Sequence, residues 1–169
     1  MSVCYRTAKP DDALELDRLF KDVFCGTFAH FYRPEDLEVF LSSFTVEGWE
    51  EQLGDKAFAV RIAEAGGIPV GFAKLGPLSL PIEADVSALM LYQLYVKTDC
   101  HGSGVAQALM DWTIEEARRR GATSLSLTVF TENHRARRFY ERYGFESVGP
   151  YKFMVGSQAD EDIIMEKVL

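Results

Sequence analysis

The stretch from Ala88 to Arg120 constrains the fold of this 169-residue chain more than any other. Ala88 to Val96 is apolar almost throughout, the pattern of a central strand covered on both faces. It runs into a loop carrying Gly102 and Gly104, which opens directly onto a helix expected over Gly104–Arg120. Val105, Ala108, Leu109, Trp112 and Ile114 supply that helix's apolar side. Glu115–Arg119 and Glu116–Arg120 are spaced as i,i+4 pairs, and Gly121 ends the helix. Such a unit needs a sheet with helices packed on it, which excludes an all-helical bundle and an all-β sandwich.

The flanking sequence supplies the rest. Val3–Ala8 reads as a strand. Pro10-Asp11-Asp12 opens a helix to about Cys25, with Leu14, Leu16, Leu19, Phe20 and Val23 near a 3.6-residue period. A second helix starts at Pro34, with Leu37, Phe40 and Leu41 on one face, and a shorter one covers Val46–Leu53. Ala57–Ala65 and Ile68–Leu75 form a hairpin around Gly66-Gly67, and Pro77 and Pro81 mark a loop. Ser124–Phe130 is a strand, Asn133–Tyr143 a helix stopped by Gly144, and Phe145–Val155 and Ile163–Val168 are closing strands. Hairpins mixed with β-α-β crossovers predict an α/β or α+β sandwich with a central mixed sheet, in one domain over 1–169.

Composition removes several function classes. Eighteen basic against 26 acidic residues leave a net charge of −8, which argues against a nucleic-acid groove and suits a cationic partner. Residues 97–145 run the other way, with eight basic and six acidic side chains. The opening residues show no leader and no run is long and apolar enough for a membrane span. Cys4, Cys25 and Cys100 form no spaced framework and read as reduced thiols, so a cytoplasmic setting is expected. His30, His101 and His134 do not group with other ligands at metal spacing, so no metal is expected.

Two segments carry chemistry. The loop from His101 to Ala106 puts glycines at a helix start, where free N–H groups and the helix dipole favour an anion. A plain tight turn would look the same. Neither a Walker loop nor a dinucleotide fingerprint is present, because no Gly-Lys-Ser/Thr and no third glycine follow. In the second segment, Asn133 and Tyr140 are two helical turns apart and share a face. Tyr140 reads either as a half-buried aromatic or as a phenol directed into a cleft.

Together these segments resemble the GCN5-related N-acetyltransferase (GNAT) superfamily. Its pyrophosphate loop, Gln/Arg-x-x-Gly-x-Gly/Ala, is matched by His101-Gly102-Ser103-Gly104-Val105-Ala106, with His in place of Gln/Arg. Its later motif, Asn-x-x-Ala-x-x-x-Tyr-x-x-x-Gly-Phe, is matched by Asn133, Ala136, Tyr140, Gly144 and Phe145. Within the superfamily the chain looks similar to the PaiA-like bacterial polyamine acetyltransferases, through Val23–Phe28, Leu94–Lys97 and Asp162–Lys167.

The resemblance implies a mostly antiparallel sheet of about six or seven strands with a V-shaped splay and helices on both faces. It implies acetyl-CoA as co-substrate, a small amine as acceptor with a polyamine such as spermidine favoured, and a possible homodimer. Main-chain groups of Leu94, Tyr95 and Val96 would pair with pantetheine, amides of His101, Gly102, Ser103, Gly104, Val105 and Ala106 would hold the pyrophosphate, and Asn133 would bond the pantetheine arm. The amine would attack the thioester directly in a ternary complex, with Tyr140 protonating the leaving thiolate and a main-chain N–H near Tyr95 serving the oxyanion. His101 reads equally as a phosphate contact or a solvated loop residue.

Where relatives often place a base, this chain has Tyr92, and Glu83 and Asp85 stand nearby without being assigned. Residues 34–55 hold Glu35, Asp36, Glu38, Glu47, Glu50, Glu51 and Asp55 and no Lys or Arg, which makes either an anionic rim for an amine or solvated helix faces. Arg135, Arg137, Arg138 and Arg142 read as an exposed face from which one or two could meet the CoA phosphate. Rival readings are transfer to a protein amine, an amino acid or an antibiotic, or a silent CoA-binding sensor.

Overall fold

A computed structural model describes residues 2–169; Met1, the first residue of the expected domain, lies outside them. The strands are β1 (Val3–Thr7), β2 (Ala59–Ala65), β3 (Ile68–Pro77), β4 (Leu89–Val96), β5 (Ser124–Phe130), β6 (Glu146–Val155) and β7 (Gln158–Val168). The helices are α1 (Ala13–Phe28), α2 (Pro34–Ser42), α3 (Val46–Gly54), α4 (Val105–Arg119) and α5 (His134–Arg142). Single 3-10 turns at Pro10–Asp12, Ala29–Phe31 and Thr98–Cys100 join them. One seven-stranded sheet runs in the order β1-β2-β3-β4-β5-β7-β6. Every pairing is antiparallel except β4 with β5.

Strand alternation divides the core between the two faces. In β2, Val60 and Ile62 point to the layer of α1 to α3, where they meet Phe20, Phe24, Trp49 and Phe72. Ala63 and Ala65 point to the other layer, where Leu91, Leu125 and Leu127 of the sheet meet Leu109 and Met110 of α4. Helices therefore cover both faces. Gly71 is needed where β3 passes beneath the start of α4, because a Cβ there would meet the Tyr95 carbonyl oxygen at 2.9 Å.

Several local expectations need correction. Helix α1 extends to Phe28 and buries Leu16, Leu19, Phe20 and Phe24, while Leu14 faces outward. Glu116, not Glu115, holds both arginines of the last turn of α4: Arg119 at 2.7 Å and Arg120 at 2.8 Å. A single carboxylate between i+3 and i+4 partners satisfies both and leaves Glu115 exposed. Strand β7 starts at Gln158, five residues before the expected Ile163. The polar run Gln158-Ala159-Asp160-Glu161-Asp162 hides its pleat, yet Asp160, Asp162 and Ile164 occupy the inward phase.

The turn between β6 and β7 is anchored from outside. Gly156 adopts φ +58°, and Asp36 of α2 reaches over it. The Asp36 carboxylate accepts from the Ser157 amide at 2.7 Å, the Ser157 hydroxyl at 2.8 Å and Arg33 Nε at 2.7 Å. These donors hold its carboxyl below the usual carboxylate range. Asp36 is thus a buried clamp rather than part of an anionic rim, whereas Glu35, Glu38, Glu47, Glu50, Glu51 and Asp55 are exposed.

Candidate active site

Strands β4 and β5 pair only at Leu89↔Leu125 and Met90↔Ser126. Past Met90, β4 stays with β3 as far as Val96, while β5 follows β7 from Ser124 to Phe130. The sheet therefore opens in a V, and Leu94, Tyr95 and Val96 lie on its open bank. The split begins beside a bulge: Lys74 pairs with Gln93 and Leu75 with Leu91, which leaves Tyr92 as the extra residue. The Tyr92 hydroxyl donates to the Pro77 carbonyl at 2.6 Å and its ring packs edge-on against Phe58.

At the top of β4 the chain turns through Thr98–Cys100 into α4. Gly102 at φ +77° and Gly104 at φ +88° bend the backbone tightly into the helix start. Among the described residues no side chain caps α4, which leaves the amides of its first turn, Val105 and Ala106, without a protein acceptor. A Cβ built at Gly102 would meet nothing within 4 Å, so the space above the loop is open.

Not all of the expected loop is available. The His101 amide donates to Thr98 and the Ser103 amide to Cys100, and the Ser103 hydroxyl also donates to Cys100. The His101 ring bridges two elements: Nε2 bonds the Val96 carbonyl at 3.0 Å and Nδ1 meets Arg135 of α5. Donation from Nε2 to a carbonyl leaves Nδ1 as the acceptor for the guanidinium. His101 is thus an exposed loop residue whose two ring nitrogens are both engaged, one of them on the Val96 carbonyl. Arg137 is also turned inward, donating to the Thr131 carbonyl at 3.0 Å, while Arg138 and Arg142 are exposed.

Helix α5 closes the other bank. Asn133 is its N-cap, with Oδ1 accepting from the Ala136 amide at 3.2 Å, so only its amide NH2 remains to be offered to a ligand. Tyr140 packs against Phe139 and Phe145, and among the described residues its hydroxyl has no hydrogen-bond partner. Burial pushes its pKa up to about 12, so it is a protonated phenol throughout the neutral range. It acts on Tyr95, whose ring belongs to the opposite layer and packs against Phe20 and Phe72. Burial raises the Tyr95 pKa as well, and Tyr140 and Asp162 raise it further.

Asp162 was not singled out for chemistry from the sequence. It and Asp160 are each 8% exposed on the inner face of β7. Asp160 accepts a short hydrogen bond from the Tyr32 hydroxyl. Burial first, and Asp160 second, raise the pKa of Asp162 to about 7, with the Thr128 hydroxyl opposing. The signal that could have found the pair is two carboxylates in phase with Ile164 on a strand that faces a core. By contrast Glu83 and Asp85 are exposed, and Asp85 is held below the ordinary carboxylate range by the Ser87 hydroxyl and amide.

Three comparisons with known proteins bear on this arrangement. The model of the acetyltransferase (GNAT) family matches residues 19–145. N-acetyltransferases of Mycobacterium bovis and Mycobacterium tuberculosis, both named as uncharacterized, are 32% identical over 137 residues, covering 80% of this chain and 84% of theirs. Among solved structures, PaiA N-acetyltransferase from Thermoplasma acidophilum in complex with coenzyme A superposes with a TM-score of 0.80 at 20% identity, over 100% of both chains. Ribosomal-protein-alanine N-acetyltransferase from Brucella melitensis gives 0.77 at 26% identity, over 98% of this chain and 99% of the other. Among the described residues, no group of three or more His, Cys, Asp or Glu is placed to hold a metal ion, and no helix is long and apolar enough to cross a membrane.

Proposed function

This chain belongs to the acetyltransferase (GNAT) family and is an N-acetyltransferase, and on that premise we propose that it moves the acetyl group of acetyl-CoA onto a small primary amine, a polyamine such as spermidine being favoured. The observation that carries the reading is the V between β4 and β5, with unpaired helix-start amides at its mouth and an unpartnered phenol on its far bank. The residues fit the co-substrate. Amides of Gly102, Gly104, Val105 and Ala106 suit a pyrophosphate, the open bank of β4 at Leu94 and Tyr95 suits an amide-bearing arm, and the Asn133 NH2 suits a carbonyl of that arm.

The chemistry then follows from position. The amine nitrogen attacks the thioester carbonyl, a main-chain N–H near Tyr95 receives the oxyanion, and the C–S bond breaks. Tyr140 gives its proton to the leaving thiolate. A neutral phenol approaches an anionic sulfur without charge repulsion, and its raised pKa keeps the proton in place until sulfur becomes basic.

Incubation with acetyl-CoA and a panel of amines (polyamines, amino acids, an aminoglycoside, peptides with free N-termini or lysines), read as free thiol, tests the reading. Polyamine-dependent thiol release is expected. Tight CoA binding with no thiol release from any amine would overturn it in favour of a sensor.

A further inference from the structure

Buried carboxylates in this protein come with their own cations, except on one face. Asp17 holds Lys21 at 2.8 Å and accepts from Trp49 Nε1. Asp36 holds Arg33 at 2.6 Å. Among the part-buried acids Asp12 and Glu64 share Arg6 and Glu116 takes Arg119 and Arg120, whereas Glu166, on β7 itself, accepts only from the Ser124 and Ser126 hydroxyls. Asp160 and Asp162, both 8% exposed, have no Lys, Arg or His within ion-pair distance among the described residues. Asp160 has only the Tyr32 hydroxyl, and Asp162 only the neighbouring Thr128. Uncompensated buried charge is costly, and a fold retains it where a partner arrives from outside.

A second observation on the same face asks for the same kind of partner. Gln93 of β4 is 8% exposed, and its Oε1 is a buried acceptor with no donor. Gln93 lies two residues from Tyr95 and opposite Lys74, whose ammonium sits over the Trp49 ring, so Gln93 is on the face covered by α1 to α3. Asp162 is on that face too, in phase with Ile164, across from Tyr151 of β6. The Lys74 ammonium does not serve Gln93, because it donates to Gln52 Oε1 at 2.8 Å. What remains on the face is two carboxylates without a cation and one amide oxygen without a donor, walled by aromatic rings: Tyr32 stacked on Phe24, Tyr95 edge-on to Phe20, Tyr151 opposite Asp162.

A ligand that satisfies such a set carries positive charge, several N–H donors on one atom and an apolar stem. We propose that this face is the acceptor site, that Asp160 and Asp162 with Gln93 receive a primary ammonium on an aliphatic chain, and that Asp162 removes its proton. The proposal rests on the transferase reading for the proton step and stands apart from it for the binding step. Tyr95 joins the two: it sits on the open bank of β4, its ring packs on the face covered by α1 to α3, and it is near enough to both Asp162 and Tyr140 for each to raise its pKa.

The proton count closes. R–NH3+ gives one proton to the Asp162 carboxylate. The freed lone pair forms the C–N bond, the C–S bond breaks, and the thiolate takes the Tyr140 proton. The nitrogen's surplus proton returns to the Tyr140 phenolate, and Asp162 releases its own to solvent. Burial, Asp160 on β7 and the Thr128 hydroxyl of β5 set the titration of Asp162, and the other titratable groups that face it are Tyr32 after α1, Tyr95 on β4 and Tyr151 on β6. A carboxyl near pH 7 is ionised often enough to take a proton and basic enough to hold it.

The test compares wild type with Asp162→Asn and Gln93→Leu. Spermidine and aminoacetonitrile, an amine already neutral at pH 7, serve as acceptors, and spermidine binding is measured directly by calorimetry at pH 8. Asp162→Asn is expected to lower kcat/KM for spermidine about 10²-fold or more, to lower it far less for aminoacetonitrile, and to remove the acid limb of the pH profile, with the KM for acetyl-CoA unchanged. Gln93→Leu is expected to raise the spermidine KM about tenfold with little change in kcat, and it decides the matter if the Asn variant fails to fold. Equal losses for both amines, or spermidine kinetics within threefold of wild type in both variants, would overturn the proposal. Spermidine binding that is lost in Asp162→Asn, without thiol release by wild type, would keep the ammonium site and refute the transferase reading. No binding and no turnover would refute both.

Discussion

Gly156 and Gly66 share the same backbone conformation, φ +58°, in unlike surroundings, which allows a clean experiment. A Cβ at Gly66 would meet nothing within 4 Å. A Cβ at Gly156 would lie 2.5 Å from Asp36 Oδ1 and 2.6 Å from the Asp36 Cα. Gly66→Ala therefore carries only the left-handed penalty, about 1–2 kcal/mol. Gly156→Ala carries the same penalty plus overpacking against backbone, a further ~1–3 kcal/mol. At roughly 2–4 °C per kcal/mol for a chain of this size, Gly66→Ala should lower Tm by about 2–8 °C and Gly156→Ala by about 4–20 °C. Calorimetric melts of the two variants and wild type in one buffer give the difference directly. Because the Gly156 turn aims Asp160 and Asp162, the KM for the amine should also rise in Gly156→Ala and not in Gly66→Ala. Equal Tm losses would refute the account of Asp36 as the clamp of this hairpin.

Other outcomes follow from single groups. Tyr140→Phe should lower kcat about 10²- to 10⁴-fold at saturating acetyl-CoA, with the KM for acetyl-CoA unchanged; full kcat in a steady-state thiol assay would remove Tyr140 from the acid role. Lys74 is buried and its pKa falls to about 8 from 10.5. Between pH 8 and 10 the unfolded chain then binds the extra proton, so stability should rise with pH over that window, and urea titrations of Lys74→Met should lose the rise. Asp162 has the opposite sign, with a folded pKa of about 7 above its ordinary 3.8. The native state binds the extra proton between those values, so its ionisation destabilises the fold as pH rises through them. Asp162→Asn should accordingly melt above wild type at pH 8, the gap closing below pH 4.

Much of the frame was legible because it depends on local pattern. The apolar run of β4, the glycines at 102 and 104 and the glycines that end α4 and α5 are each set by a handful of neighbouring residues, and each has a physical reason at its position. The 3.6-residue period marks helix α1 but blurs its buried face, since Leu14 is apolar and exposed. The acceptor face was hidden for a different reason. Asp160, Asp162, Gln93 and Tyr32 come from widely separated segments, and the significance of the acids lies in a missing cation, which spacing cannot reveal. His101 shows the same limit: whether its ring points to solvent, to a phosphate or to Val96 and Arg135 depends on where α5 returns.

The seam of Leu89↔Leu125 and Met90↔Ser126 has a mechanical consequence. A sheet of seven strands hinges there on very little backbone bonding, so the two halves can breathe against each other at a cost set mainly by the helices packed across them. A molecule lying along β4 inside the opening acts as a strand the gene does not encode. Its binding lends rigidity to the half that carries Tyr140 and to the half that carries Tyr95, and it does so by mass action, about 2.7 kcal/mol at a hundredfold excess over Kd. The shortest pairing in the sheet thus opens onto the proposed co-substrate cleft, and amide protons on the facing edges of β4 and β5 should be the first to slow their exchange with solvent when that cleft is filled.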